Sequence, residues 1–171
     1  MIPGILISIL TFPGVIIHEF AHKLFCNWTG VKVHEVSYFR LGNSVGYVIH
    51  ERPEKFYQSF FISVGPFIIG TIFALLFFLI SKMFLTYWME YFFIWLGASM
   101  AMNSFPSTGD AKVLWHETNR HVRNNFLAVI GYPFVLLIWI ANALNIIWFD
   151  AIYAVFLYGL INPQLWISFF S

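Results

Sequence analysis

Apolar positions along this chain come in long, nearly unbroken runs, without the period-2 or period-3.6 alternation of half-buried strands and surface helices. Four runs are plain, over about residues 2–25, 56–80, 83–105 and 126–148, and a fifth, about 151–170, is broken by Asn162-Pro163. Each reaches or approaches the ~20 residues an α-helix needs to cross a bilayer's hydrocarbon core. The pattern predicts four to five transmembrane helices. Pro13-Gly14 marks an expected kink in the first, Gly65-Pro66 lies within the second, and Glu90 interrupts the third near its start.

Two intervening stretches differ in character. Val31, Val33, Val36 and Tyr38 precede Leu41-Gly42-Asn43-Ser44, and Val45, Tyr47 and Ile49 follow. Alternating β-formers on either side of a Gly/Asn turn predict a small β-hairpin, placed at the membrane surface by its position between two spans. Residues 112–125 (KVLWHETNRHVRNN) are too polar to span and are expected to form an interfacial helix or loop. The expected fold is therefore an all-α polytopic membrane protein with one surface hairpin. It forms a single integral-membrane domain over residues 1–171, with a core over about 1–112 and additional spans over about 126–170.

Composition agrees with that solvent. The 171 residues are 60% hydrophobic and 10% charged, far from the ~25% charged content of soluble domains. A net charge of +1 gives no reason to expect a nucleic-acid partner. Cys26 is the only cysteine, which excludes an intrachain disulfide and a thiolate cluster and leaves a packing role. The first run lacks a cationic leading segment and continues into His18 and Glu19, so a retained helix is expected there instead of a signal peptide. Eight of the nine Lys and Arg lie before the second span or between the third and fourth; Lys82 is the exception. By the positive-inside rule the hairpin and the 106–125 segment face the cytoplasm, in what is expected to be the cell membrane.

The chemistry concentrates in His18-Glu19-Phe20-Ala21-His22. Residues i and i+4 share a helix face, so both imidazoles reach one Zn²⁺, and Glu19 beside them is placed to take a proton from water activated by that ion. A chain of this composition contains about 0.01 such matches by chance. Ionisable residues inside a span are also costly, and functional by default. A catalytic zinc needs a third protein ligand and an open position. Asp110 is the strongest candidate, because two further spans return the chain to the same face and Pro106 and Gly109 break the helix there. Glu51 and Glu117 are the alternatives on that face.

His18-Glu19-Phe20-Ala21-His22, then Gly65-Pro66, then Asn103-Ser104-Phe105-Pro106-Ser107-Thr108-Gly109-Asp110 together resemble the site-2 protease family of intramembrane zinc metalloproteases, over about residues 10–112. The resemblance implies a three-helix metalloprotease core, one Zn²⁺ on His18, His22 and Asp110, and a catalytic pair of Glu19 and Asn103, the latter donating to the oxyanion or positioning substrate. The substrate implied is a membrane protein, cut in or near a transmembrane segment, and the hairpin resembles the family's small membrane-associated sheet. Ala21 stands where the family commonly has Gly, Ala111 follows Asp110 where Gly is usual, and the Asn-to-Asp interval is one residue shorter.

Other polar residues are expected to serve structure. His116-Glu117 and His121 imitate the motif, but i and i+5 diverge by ~140° on a helix, and a solvated surface is expected there. His34 and His50 flank the hairpin and are expected to be exposed. Asn142 and Asn145 read as interhelical hydrogen-bonding residues. Two other functions compete: a zinc-binding, non-proteolytic scaffold or regulatory pseudoprotease, disfavoured by the intact Glu19, and a metal transporter, disfavoured by the lack of ionisable residues inside the second, fourth and fifth runs.

Overall fold

The structure is a computed structural model, which describes residues 4–40, 45–84 and 86–164. It is mostly helical with one two-stranded antiparallel sheet. In order the elements are α1 (Gly4–Leu10), α2 (Phe12–Thr29), β1 (Val33–Ser37), β2 (Tyr47–His50), α3 (Phe56–Ser81), α4 (Tyr87–Met102), α5 (Thr108–His121), α6 (Gly131–Leu144) and α7 (Phe149–Ile161). Short 3-10 turns, Phe126–Ile130 and Asn145–Ile147, extend α6 at both ends.

The first apolar run is two helices, where one kinked helix was expected. The break is at Thr11, whose hydroxyl and N–H both donate to the Ile7 carbonyl, and Pro13 sits in the first turn of α2, where its missing N–H costs nothing. α2 then runs past residue 25 to Thr29. It stops at Gly30, whose φ of 77° suits a residue without a Cβ, and the N–H groups of Gly30 and Val31 close on Asn27 and Cys26.

The third run is also shorter than its apolar pattern. α4 starts at Tyr87 and ends at Met102, so its 16 residues reach only about 24 Å. α7 ends at Ile161, before Asn162-Pro163, and the last part of the fifth run lies outside the described residues. Among the described residues, two helical runs are long and apolar enough to cross a membrane, Phe56–Ser81 and Phe126–Ile147. Ile72, Leu76 and Leu79 on α3 and Leu136, Leu137 and Ile140 on α6 are exposed large apolar side chains.

The hairpin forms as expected, with Val36 opposite Val48 and Ser37 opposite Tyr47, and an irregularity between Val33 and Glu35. Its expected turn, Leu41-Gly42-Asn43-Ser44, lies outside the described residues. The Tyr47 hydroxyl donates to the Glu35 carboxylate, which raises the phenol above its ordinary pKa. The 112–125 segment is largely helix, as α5.

α3 runs through the centre. Its Ile62 packs with Phe25, Cys26 and Val31 at the end of α2. Ala74 and Phe78 pack with Met100 and Ala101 of α4 and with Ala154 and Leu157 of α7. Phe56, at its start, packs with Ala111 and Leu114 of α5 and Val135 and Ile138 of α6. α2 meets α4 where Gly14 leaves no side chain between backbones: a Cβ there would lie 1.9 Å from the Ser99 carbonyl oxygen. The Gly14 N–H donates to Ser99 Oγ, which in turn donates to the Thr11 carbonyl. This close approach brings the end of α4 beside the middle of α2.

Candidate metal centre

His18 and His22 lie one turn apart on α2, and their rings meet at 4.9 Å between centroids. Each imidazole is held by the nitrogen that faces away from the other. His18 Nδ1 lies 2.7 Å from the main-chain oxygen of Asn103, and His22 Nδ1 lies 2.9 Å from that of Ile62. A carbonyl only accepts, so both Nδ1 atoms carry a hydrogen, and Nε2 is the atom of each ring that faces the other and Asp110.

Both carbonyls are available for a backbone reason. Asn103 is the residue that caps α4, where the last carbonyls have no intrahelical partner. Ile62 lies four residues before Pro66, inside α3, and proline has no N–H to return to it. The Gly-Pro pair thus does more than bend a helix. Gly65 also leaves room for Phe25, whose ring would meet a Cβ at 2.2 Å.

Asp110 completes the group. It is the third residue of α5, and its Oδ2 accepts from both the N–H and the hydroxyl of Ser107, while its own N–H donates to Ser107 Oγ. This reciprocal cap commits one carboxylate oxygen to the helix start and leaves the other turned toward α2. Asp110 Oδ1 lies 3.5 Å from His22 Nε2, and His22 Nε2 lies 3.2 Å from His18 Nε2. One ligand atom from each of the three residues falls within 4.8 Å of the others.

With both Nδ1 atoms committed to carbonyls, the two Nε2 atoms and Asp110 Oδ1 converge where one cation, a shared proton or a metal ion, satisfies all three. Donors on a tetrahedral ion with ~2.0–2.1 Å bonds stand about 3.3 Å apart, close to the two separations from His22 Nε2, with the third pair within 4.8 Å. Two imidazoles and a carboxylate, each with an outer hydrogen-bonding partner, are a donor set that suits a divalent transition-metal ion.

Glu19 is buried next to them. It faces β2: a Cβ on Gly46 would lie 2.6 Å from Glu19 Cγ and 2.8 Å from Oε1. A cavity of about 490 Å³ joins His18, Glu19, His22 and Asp110 to Gly46, Val48 and His50 of the hairpin and to Asn142 of α6.

The expected residues His18, Glu19, His22 and Asp110 therefore come together around one cavity. Asn103 is there too, but through its main chain. Its side-chain amide donates to the carbonyls of Ser99 and Thr11, so it would have to release one of them to reach an oxyanion. Glu51 is exposed and lies near Lys32 and His34. His34 is exposed as expected, whereas His50 is half-buried and lines the cavity.

Glu117 corrects the expectation of a solvated surface. Its side chain is only 4% exposed and is held by Arg52, Arg120 and His121. Asn142 ties α6 to the loop before α5, donating to the Pro106 carbonyl, as an interhelical role requires.

The residues that sequence reasoning missed are Ile62 and Ser107. The signal for Ile62 was its place four before a mid-helix proline. For Ser107 it was the Ser-x-x-Asp spacing before a helix. Comparison of the chain with protein-family models, with curated proteins and with solved structures finds no match.

Proposed function

We propose that this protein is an integral-membrane zinc metallopeptidase that hydrolyses a peptide bond in or near a transmembrane segment of a membrane protein. One observation carries the proposal: Nε2 of His18, Nε2 of His22 and an oxygen of Asp110 converge beside a buried glutamate in one cavity. A scaffold that only bound metal would have no use for Glu19 within that cavity. The membrane setting is supported by the two long apolar helices and by the exposed apolar rows on α3 and α6. In this reading α2 and α4 cross with them, α7 is a further span, and α2–α4 form the core around the metal.

A zinc ion on His18, His22 and Asp110 would polarise the scissile carbonyl and make water a competent nucleophile near neutral pH. The protein's own groups do the remainder. Asn103 and Ile62 keep the hydrogens of both imidazoles on Nδ1, so Nε2 stays free for the ion. Ser107 holds Asp110 Oδ2 and so aims Oδ1. The Glu19 carboxylate takes a proton from the attacking water and delivers it to the leaving amine nitrogen. Substrate enters as extended chain, because a helix shields its own carbonyls, and β2, along one wall of the cavity, is positioned to pair with it.

The test compares detergent-purified wild type with Glu19→Gln and His22→Ala, for zinc content and for cleavage of a transmembrane reporter peptide. Wild type and Glu19→Gln should both hold one zinc per chain, and only wild type should cleave. His22→Ala should lose both properties. Cleavage by Glu19→Gln at the wild-type rate overturns the mechanism.

A further inference from the structure

The ion pair between Arg52 and Glu117 lies outside the cavity and ties the segment after β2 to α5. Arg52 follows β2 by two residues, and Glu117 sits in the second half of α5. Arg52 Nε and Nη2 both reach Glu117 Oε1, at 2.8 and 2.7 Å. Arg120 Nη1 and His121 Nε2 lie 3.4 and 3.5 Å from Oε2. A buried carboxylate is costly unless every lone pair is answered, and a well-packed apolar pair is often as stable. What an apolar pair cannot supply is a fixed angle, and that is what α5 needs.

Glu117 is seven residues after Asp110 on the same helix. Seven residues are nearly two turns, so the two carboxylates share one face and stand about 10 Å apart along the axis. A side-chain oxygen sits roughly 6 Å from a helix axis, so turning α5 by 20° would carry Asp110 Oδ1 about 2 Å, the length of a whole metal–oxygen bond. The buried Ala111 and Leu114 and the bond from Tyr132 to Asn119 also hold α5, but the guanidinium on Glu117 adds short, directional bonds to a buried carboxylate on the same face as Asp110.

Resting on the metal centre proposed above, we infer that Glu117 and Arg52 are positioning residues for that centre: their ion pair sets the rotation of α5 against the hairpin and thereby holds Asp110 at its distance from His18 and His22.

The test is a competition titration of the full chain in detergent with Cu²⁺, the tightest-binding of the first-row divalent ions, which keeps a two-histidine site measurable. Binding elsewhere is subtracted with the His18→Ala/His22→Ala double variant. Glu117→Gln, which keeps shape and removes charge, should weaken Cu²⁺ binding about tenfold, and Arg52→Ala, at a half-exposed position, should do the same. If Glu117→Gln does not fold, Arg52→Ala carries the test. In an Asp110→Ala background neither change should weaken binding further. Equal losses in both backgrounds would mean a general effect on folding and would overturn the inference, as would wild-type affinity in Glu117→Gln or Arg52→Ala. A wild-type chain that binds no more Cu²⁺ than the double-histidine variant overturns the metal centre itself, and the inference with it.

Discussion

Pro66 and His22 share a single carbonyl: proline withholds the N–H that would close on Ile62, and His22 Nδ1 occupies that place at 2.9 Å. Restoring the donor should therefore compete with the imidazole. Pro66→Ala is expected to weaken zinc binding about tenfold, the lower end for loss of a ligand's outer partner. Because a mid-helix proline is itself unfavourable, the thermal midpoint should stay or rise. Isothermal zinc competition beside a thermal melt checks both signs, and a parallel fall in the two would show that proline acts only through the fold.

Asp110 has two separable duties, one per oxygen. Asp110→Asn keeps an oxygen for the Ser107 cap and removes the anionic ligand, so zinc affinity should fall by orders of magnitude while the helix start survives. Asp110→Ala should lose zinc equally and cost about 1 kcal/mol more in stability through the lost cap. Asp110→Glu should keep some metal but misplace it, costing activity more than binding. Zinc content and denaturation midpoints of the three variants separate the duties.

Gly46 lets β2 lie directly on the glutamate. Gly46→Ala would place a methyl 2.6 Å from Glu19 Cγ, and the flexible carboxylate is what gives way. Cleavage of a reporter substrate should drop about a hundredfold, the lower end of what a positioned general base contributes. Zinc stoichiometry should not change, since none of the three ligands is touched. Full activity in this variant would remove Glu19 from the mechanism.

Gly14 is a different case, because the atom in the way is backbone. Gly14→Ala must push α2 from α4 at the Ser99 carbonyl, and overpacking of this kind costs about 3 kcal/mol. The Asn103 carbonyl that holds His18 moves with α4, so metal binding should weaken as well. Thermal denaturation and zinc content of the same preparation test the linkage.

Orientation in the membrane is accessible through exposed positions on opposite sides of α3. In a Cys26→Ala background, Glu54→Cys should resist, and Thr86→Cys accept, an impermeant thiol reagent applied to intact cells. The reverse labelling would invert the topology drawn from the Lys and Arg distribution.

The candidate metal-binding group was legible in the amino-acid order because its chemistry is local or stereotyped. His18 and His22 at i, i+4 share a face on any α-helix, and Pro106 marks the break between α4 and α5, whereas Gly109, also expected to break the helix, lies inside α5. Helix lengths were less legible. An apolar run continues through Thr11 and through residues 83–86 without a charged residue, whereas helix ends depend on hydrogen bonds such as that from Thr11 to Ile7. Glu117 was misjudged for a related reason: its neighbours in sequence are polar, and its burial comes from Arg52, 65 residues earlier.

Sequence alone thus determined the apolar runs, the hairpin's strands and the shared face of His18 and His22, all properties of residues within a few positions of one another. Only the tertiary structure decided which oxygen of Asp110 is free, which carbonyls hold the two imidazoles, and that Gly46 abuts Glu19. Those facts depend on how closely separate helices approach, and that distance is set by side chains absent from the contact, at Gly14, Gly46 and Gly65, as much as by those present.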